Sequence, residues 1–421
     1  MHKKTTLKNG LRIITYPMKN TRALTLLILV ATGSKYETKE ISGISHLLEH
    51  MAFKGTKKRP KTLDISRELD RIGGFYNAFT GKEYMGFWIK VDSSHFSLGG
   101  DILSDMIFNS LFEKKEIEKE KRVIFEEINM RKDNPQSYVF ELFEKLLYGD
   151  QPAGWPIAGE KETVVKISRK NILDYFKTQF GAENAVIVLA GNFEEKEGIT
   201  KVKKSFKGFK KVSPQEKIKT KEKQKKPEIL LNFKETDQAH ICLGVRAFDL
   251  FSAKKYPLAV LSTILGGIMS SRLFIEVREK RGLAYYIRSS SNHYTDNGYF
   301  LIHAGIDNKK IEEAIRVILR ECKKLKMKKI SQKELIKAKE NIKGRISLDL
   351  ETSDSWAGFL GGQEILERKI KTPEQKISQI EKVTSSDILK VAKEIFLPEK
   401  LNLALIGPFK DKSKFQRLLK L

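Results

Sequence analysis

His46-Leu47-Leu48-Glu49-His50 sets two imidazoles four residues apart with a carboxylate between them. On a helix, positions four apart share a face about one turn from each other. Two neutral imidazole nitrogens at that spacing can hold one Zn²⁺, and a neighbouring carboxylate can deprotonate a water held on it. That is peptide-hydrolysing chemistry, with the order of the commoner His-Glu-x-x-His motif inverted. Such a site needs a third protein ligand and keeps one position open.

The segment from Glu118 to Met130 offers that ligand. Its spacing predicts a helix with an apolar stripe of Ile117, Ile124 and Ile128, flanked by Val123 and Met130. Glu120 and Glu127, seven apart, share a face within the stripe, whereas Glu126 points away with Lys119 and Arg122. A carboxylate on a buried face must be paired or bound to a cation. Glu127 is therefore the expected ligand, and Glu120, one repeat earlier, is expected to orient a ligating histidine. The histidine segment has its own anchor. Ile44, Leu47, Leu48, Met51 and Ala52 form one stripe roughly opposite His46 and His50.

His46-x-x-Glu49-His50, followed after 76 residues by Glu127, resembles the pitrilysin family of inverted-motif zinc peptidases. The closer likeness is to the branch that contains the mitochondrial processing peptidase and its bacterial relatives. Other segments fit the same pattern: Gly33 to Glu37, Met51 to Thr56, Gly73 to Ala78, Gly154 to Gly159 and Ser270 to Phe274. The resemblance implies a zinc-dependent endopeptidase acting on short or unfolded polypeptides, with one Zn²⁺ per chain and Glu49 as the catalytic base. It assigns Arg278 and Tyr285 to holding the substrate and stabilising its carbonyl oxygen, and Asn77 and Ala78 to an edge strand that pairs with the peptide. In the family four domains enclose one chamber. A two-domain chain then implies a dimer, either a homodimer or a heterodimer with a motif-free paralogue. The alternative within the same fold is a non-catalytic structural or partner subunit.

The elements that must position these residues are legible as a duplication. Ile167 to Phe193 aligns without a gap on Val383 to Phe409, at an offset of 216 residues. Each copy reads as a helix, a turn and a buried strand ending at a glycine. At that offset His46, Glu49 and His50 fall on Ser262, Leu265 and Gly266, so the second copy lacks the motif. Strand-like runs (Gly10 to Tyr16, Ala23 to Ala31, Ala185 to Ala190, His240 to Arg246) are separated by helix-like ones (Ser94 to Asn109, Lys310 to Met327). The expected fold is α+β, two homologous domains each with helices on a mostly antiparallel sheet. Residues 1–207 form the zinc-binding domain, 208–227 a charged linker, and 228–421 the domain carrying the Arg/Tyr pair.

There are 79 Lys and Arg against 53 Asp and Glu, a net charge of +26. The lysines are scattered rather than gathered in one stripe, and no nucleic-acid-binding motif is visible, so no nucleic-acid partner is expected. Cys242 and Cys322 lie far apart in apolar or helical contexts and read as reduced, packed thiols. The N-terminus has no apolar signal core, and the longest apolar run is too short to span a bilayer. A cytoplasmic protein without membrane contact is the expectation.

Overall fold

A computed structural model describes residues 2–421. Two sheets organise them. The first has the order β1-β2-β6-β3-β5-β4, made of β1 (Lys3–Thr6), β2 (Arg12–Pro17), β6 (Ala185–Gly191), β3 (Ala23–Val30), β5 (Met85–Asp92) and β4 (Phe75–Thr80). The second has the order β7-β11-β8-β10-β9, made of β7 (Glu228–Phe233), β11 (Asn402–Gly407), β8 (Gln238–Arg246), β10 (Gly298–Asp307) and β9 (Ala284–His293). Neighbours are antiparallel except β2 with β6 and β7 with β11. This is the α+β layering expected from the pattern.

The duplication extends through both sheets. Reading inward from β2 and β7, the two orders correspond strand for strand. The aligned segments also share their local chemistry. The helix Arg169–Gln179 opens on a Ser168/Asn171 capping box and leads into β6. The helix Ser385–Ile395 opens on a Thr384/Asp387 box and leads into β11. In both, the hydroxyl satisfies an N–H that the first turn leaves without a partner.

The compact units differ from a linear split at the charged segment. Among the described residues, one comprises 2–129, 155–218 and 348–370; the other comprises 130–154, 219–347 and 371–421. Within the second, the helix Pro135–Tyr148 packs Val139, Phe143 and Leu147 against Cys242, Leu301 and Ala404. Within the first, the helix Ser353–Glu367 packs Ala357, Leu360 and Ile365 against Leu27, Leu29, Val186 and Val188. Corresponding helices of the two repeats are thus exchanged. Periodicity shows that a helix has a face to bury; it does not name the sheet that covers it.

In the first unit this exchange buries both faces of β3. Leu27 and Leu29 face the exchanged helix, while Leu26, Ile28 and Val30 face the cluster containing Ile44, Leu47, Leu48 and Met51. The helix carrying His46 is thereby seated on a two-sided sheet. Residues 210–227 form no helix or strand; Lys217 pairs with Glu83 at 2.7 Å, and Thr220 donates to Asp296. Cys242 and Cys322 are buried and free. Among the described residues, no helix is long and apolar enough to cross a membrane.

Candidate metal centre

His46 and His50 lie on the helix Ile44–Met51, whose Ile44, Leu47, Leu48 and Met51 are buried. The opposite side carries the motif, as its stripe dictates. The second helix runs Lys114–Asp133 and buries Ile117, Ile124 and Ile128. Val123 and Met130, expected to flank the stripe, are exposed, and Lys121 is buried instead. Lys121 reaches Glu118 and the carbonyl of Val165.

The two helices bring His46, His50 and Glu127 to one point. One ligand atom from each lies within 4.8 Å of the others. Glu127 Oε2 is 3.5 Å from Nε2 of His46 and 3.5 Å from Nε2 of His50. Donors around a tetrahedral ion with bonds of about 2.1 Å are spaced about 3.4 Å apart. The set of two imidazoles and one carboxylate therefore fits a Zn²⁺ ion in spacing and in chemistry. Mn²⁺ or Co²⁺ would also accept these donors.

Glu120 is buried, with Oε2 3.1 Å from Nδ1 of His50 and Oε1 2.8 Å from Nζ of Lys54. Burial opposes its charge, but the bonds to His50 and Lys54 outweigh burial and keep the carboxyl below its usual range. His50 responds in kind. Burial disfavours the imidazolium, yet the bond to Glu120 and the charges of Glu127, Glu120 and Glu49 hold its pKa above the ordinary value. A proton kept on Nδ1 by Glu120 would leave Nε2 of His50 to an ion shared with Glu127.

Glu49 is held above the usual carboxylate range by burial, against a lowering hydrogen bond from Thr80. Thr80 Oγ donates to Oε2 of Glu49 at 2.5 Å. This threonine has no assigned role in the sequence reading; its only signal is its place two residues after the Gly73 to Ala78 segment. The strand β4 is an edge of its sheet. Phe75, Asn77 and Phe79 are exposed, whereas Ala78 is buried. The N–H of Ala78 donates to Oδ1 of Asn77 at 2.8 Å.

Arg278 and Tyr285 are brought together in the second unit. Arg278 lies in the turn Phe274–Glu279, its guanidinium 4.9 Å from the Phe274 ring and 5.9 Å from the Tyr285 ring. Glu276 is engaged by Lys280 and Arg281, so it does not take Arg278. The β9–β10 register skips Tyr285, which pairs with no residue of β10. Such a bulge re-aims a side chain, and Tyr285 is 74% exposed. It lines an open pocket with Tyr286, Arg288, His240 and His303. Tyr286 Oη bridges His240 (2.9 Å) and His303 (3.1 Å). Burial, with His240 adding to it, pushes His303 down to about 4. Nothing in the sequence pattern marked this chain of rings.

Residues 12–161 match the model of the insulinase family, peptidase family M16, and residues 166–342 match that of the peptidase M16 inactive domain. The chain belongs to peptidase family M16. It is 37% identical over 412 residues to the uncharacterized zinc protease YmxG of Bacillus subtilis, covering 97% of this chain and 98% of that one. It is 32% identical to the uncharacterized zinc protease SCO5738 of Streptomyces coelicolor, covering 97% and 90%. Among solved structures it is similar to a protease from Helicobacter pylori, at 25% identity with a TM-score of 0.90, covering 97% and 99%.

Proposed function

We propose that the chain is a zinc-dependent endopeptidase that cleaves short or unfolded polypeptides. The observation that carries this reading is the convergence of His46, His50 and Glu127, with Glu49 beside His50 on the same helix. These three residues would hold one ion per chain. When bound there, Zn²⁺ supplies Lewis acidity, polarising a carbonyl and lowering the pKa of water toward about 7. Glu120 takes the Nδ1 proton of His50 as a hydrogen bond and so leaves Nε2 for the ion. Glu49 receives the proton of the attacking water and delivers it to the departing amine. Burial raises its proton affinity, which suits a carrier, and Thr80 restrains the carboxylate.

An extended peptide adds to the open edge of β4, with Asn77 and Ala78 at the contact. Main-chain bonding of that kind holds a backbone with loose sequence preference. Arg278 holds the substrate backbone, and Tyr285 donates to the carbonyl oxygen as charge grows on it. The working form in this reading is a homodimer in which each zinc site uses the partner's Arg278 and the partner's Tyr285.

The test is hydrolysis of an unfolded peptide by the purified chain. Chelation should abolish turnover and Zn²⁺ restore it. Mixing the inactive variants Glu49→Gln and Tyr285→Phe should restore activity, because mixed dimers regain one intact site. A mixture as inactive as its components would rule out sites shared between chains. A metal-loaded chain that cleaves nothing by itself would favour the alternative, a non-catalytic partner subunit.

A further inference from the structure

The turn from Gly33 to Glu37 has no part in the chemistry above, yet it joins the two elements that carry it. At one end its backbone lies along the loop that follows β4. Ser34 N–H donates to the carbonyl of Gly81 at 3.3 Å and Lys35 N–H to that of Lys82 at 2.9 Å. Lys35 Nζ pairs with Glu83 at 2.9 Å, both side chains buried. Thr80, which grips Glu49, is the residue immediately before this loop.

At its other end the turn presents Glu37. Its buried carboxylate accepts the N–H of Gly43 at 2.8 Å and the N–H of Ser45 at 2.9 Å. Those are first-turn donors of the helix Ile44–Met51 that no helical carbonyl can satisfy. Gly43 itself, at φ +96°, has no side chain with which to cap. A Cβ there would meet the carbonyl oxygen of Ala158 at 2.7 Å, so the cap must come from elsewhere. Ser45 Oγ lies 2.9 Å from the Tyr175 hydroxyl, which lies 2.7 Å from Thr32 Oγ. Lys82 bonds the carbonyl of Trp155, closing the ring of contacts around the helix entry.

An eight-residue helix cannot hold itself: isolated helices shorter than about 12 residues are marginal. Catalytic side chains tolerate about 0.5 Å of misplacement. The fixed end of this helix therefore matters to every group on it. The second repeat supplies a contrast. At the offset of 216, Glu37, Gly43 and Ser45 fall on Ala253, Ala259 and Leu261. The copy without the histidines also lacks the carboxylate.

We propose that Glu37 is a positioning residue. Tied by its own turn to the loop behind Thr80, its carboxylate sets how the helix Ile44–Met51 sits against β4, and so where His46, Glu49 and His50 stand relative to the peptide edge. This rests on the metal-site reading, and one arm of its test does not depend on that reading.

The variants are Glu37→Gln, which keeps the volume and one acceptor, and Tyr175→Phe, which removes only the hydroxyl behind Ser45. In the metal-free protein, amide exchange of residues 43–48 should quicken about tenfold in Glu37→Gln and less in Tyr175→Phe. In the loaded protein, zinc should dissociate 10- to 100-fold more readily, and kcat should fall while KM holds. Glu37→Ala should exceed Glu37→Gln in each readout. Wild-type exchange, zinc affinity and kcat in both conservative variants, whatever their melting temperatures, would overturn the proposal. A wild-type chain that binds no zinc would instead remove the reading beneath it, leaving the exchange arm to decide the anchor.

Discussion

The helix Ile44–Met51 stands beside the edge strand β4; at the offset of 216 it falls on residues 260–267, the end of the helix Lys255–Ser262 and the turn that follows it, which stand beside the corresponding edge strand β9. The first carries His46 and His50, each with Nε2 3.5 Å from Glu127. The second runs on into a wide turn, Thr263–Gly267, packed against β9. There the carbonyl of Ser262 accepts the Ser289 hydroxyl at 2.8 Å, and Leu265 is fully buried. A Cβ on Gly266, which corresponds to His50, would meet the backbone nitrogen of Ser289 at 2.7 Å. The same frame holds a donor set in one copy and closes that space in the other. A metal site thus needs room beside its helix as much as ligands upon it.

The largest effect that probes this contrast is at Glu49, whose counterpart is Leu265. Glu49→Gln should lower kcat by about 10²- to 10⁴-fold while zinc stays bound. Peptide hydrolysis alongside metal analysis checks it, and wild-type turnover would refute the assigned base.

The next concerns Glu37, whose counterpart is Ala253. Burial pushes its carboxyl up to about 7, against lowering bonds from Gly43 and Ser45. The folded state therefore binds this proton more tightly than the unfolded chain. The resulting stability is complete below about pH 4.5 and is lost as pH rises toward 7, a change of about 3 kcal/mol. Chemical unfolding of wild type and Glu37→Gln across that window should give curves whose difference carries this slope, because Glu49, His50 and the other titrating groups contribute equally to both.

In the closed copy, Gly266→Ala should cost about 2 kcal/mol, because the new methyl meets backbone that cannot swing aside. A denaturation midpoint equal to that of wild type would mean that the space is not closed. The smallest effect is at Glu120. Glu120→Gln should weaken zinc binding about tenfold by loosening the orientation of His50, measured by chelator competition.

The sequence carried what depends on local periodicity. Opposed stripes on Ile44–Met51 placed the histidines, and the seven-residue spacing separated Glu127 from Glu126. The aligned Ile167 and Val383 segments announced two related sheets. What it did not carry depends on partners distant in the chain. Lys121 is buried because Val165 and Glu118 receive its ammonium. Thr80 meets Glu49 only once β4 is laid beside the helix. The exchange of Pro135–Tyr148 and Ser353–Glu367 between sheets is invisible because either sheet offers an apolar face. The bulge at Tyr285 is set by register with β10, which no single strand encodes.

On this reading the first repeat holds one metal ion through His46, His50 and Glu127, and the second holds none. Zinc counted per purified chain tests it most directly. The wild type should carry one ion and His50→Ala or Glu127→Ala none, with each variant still folded. A wild-type chain without metal, or a full complement retained by either variant, would contradict it.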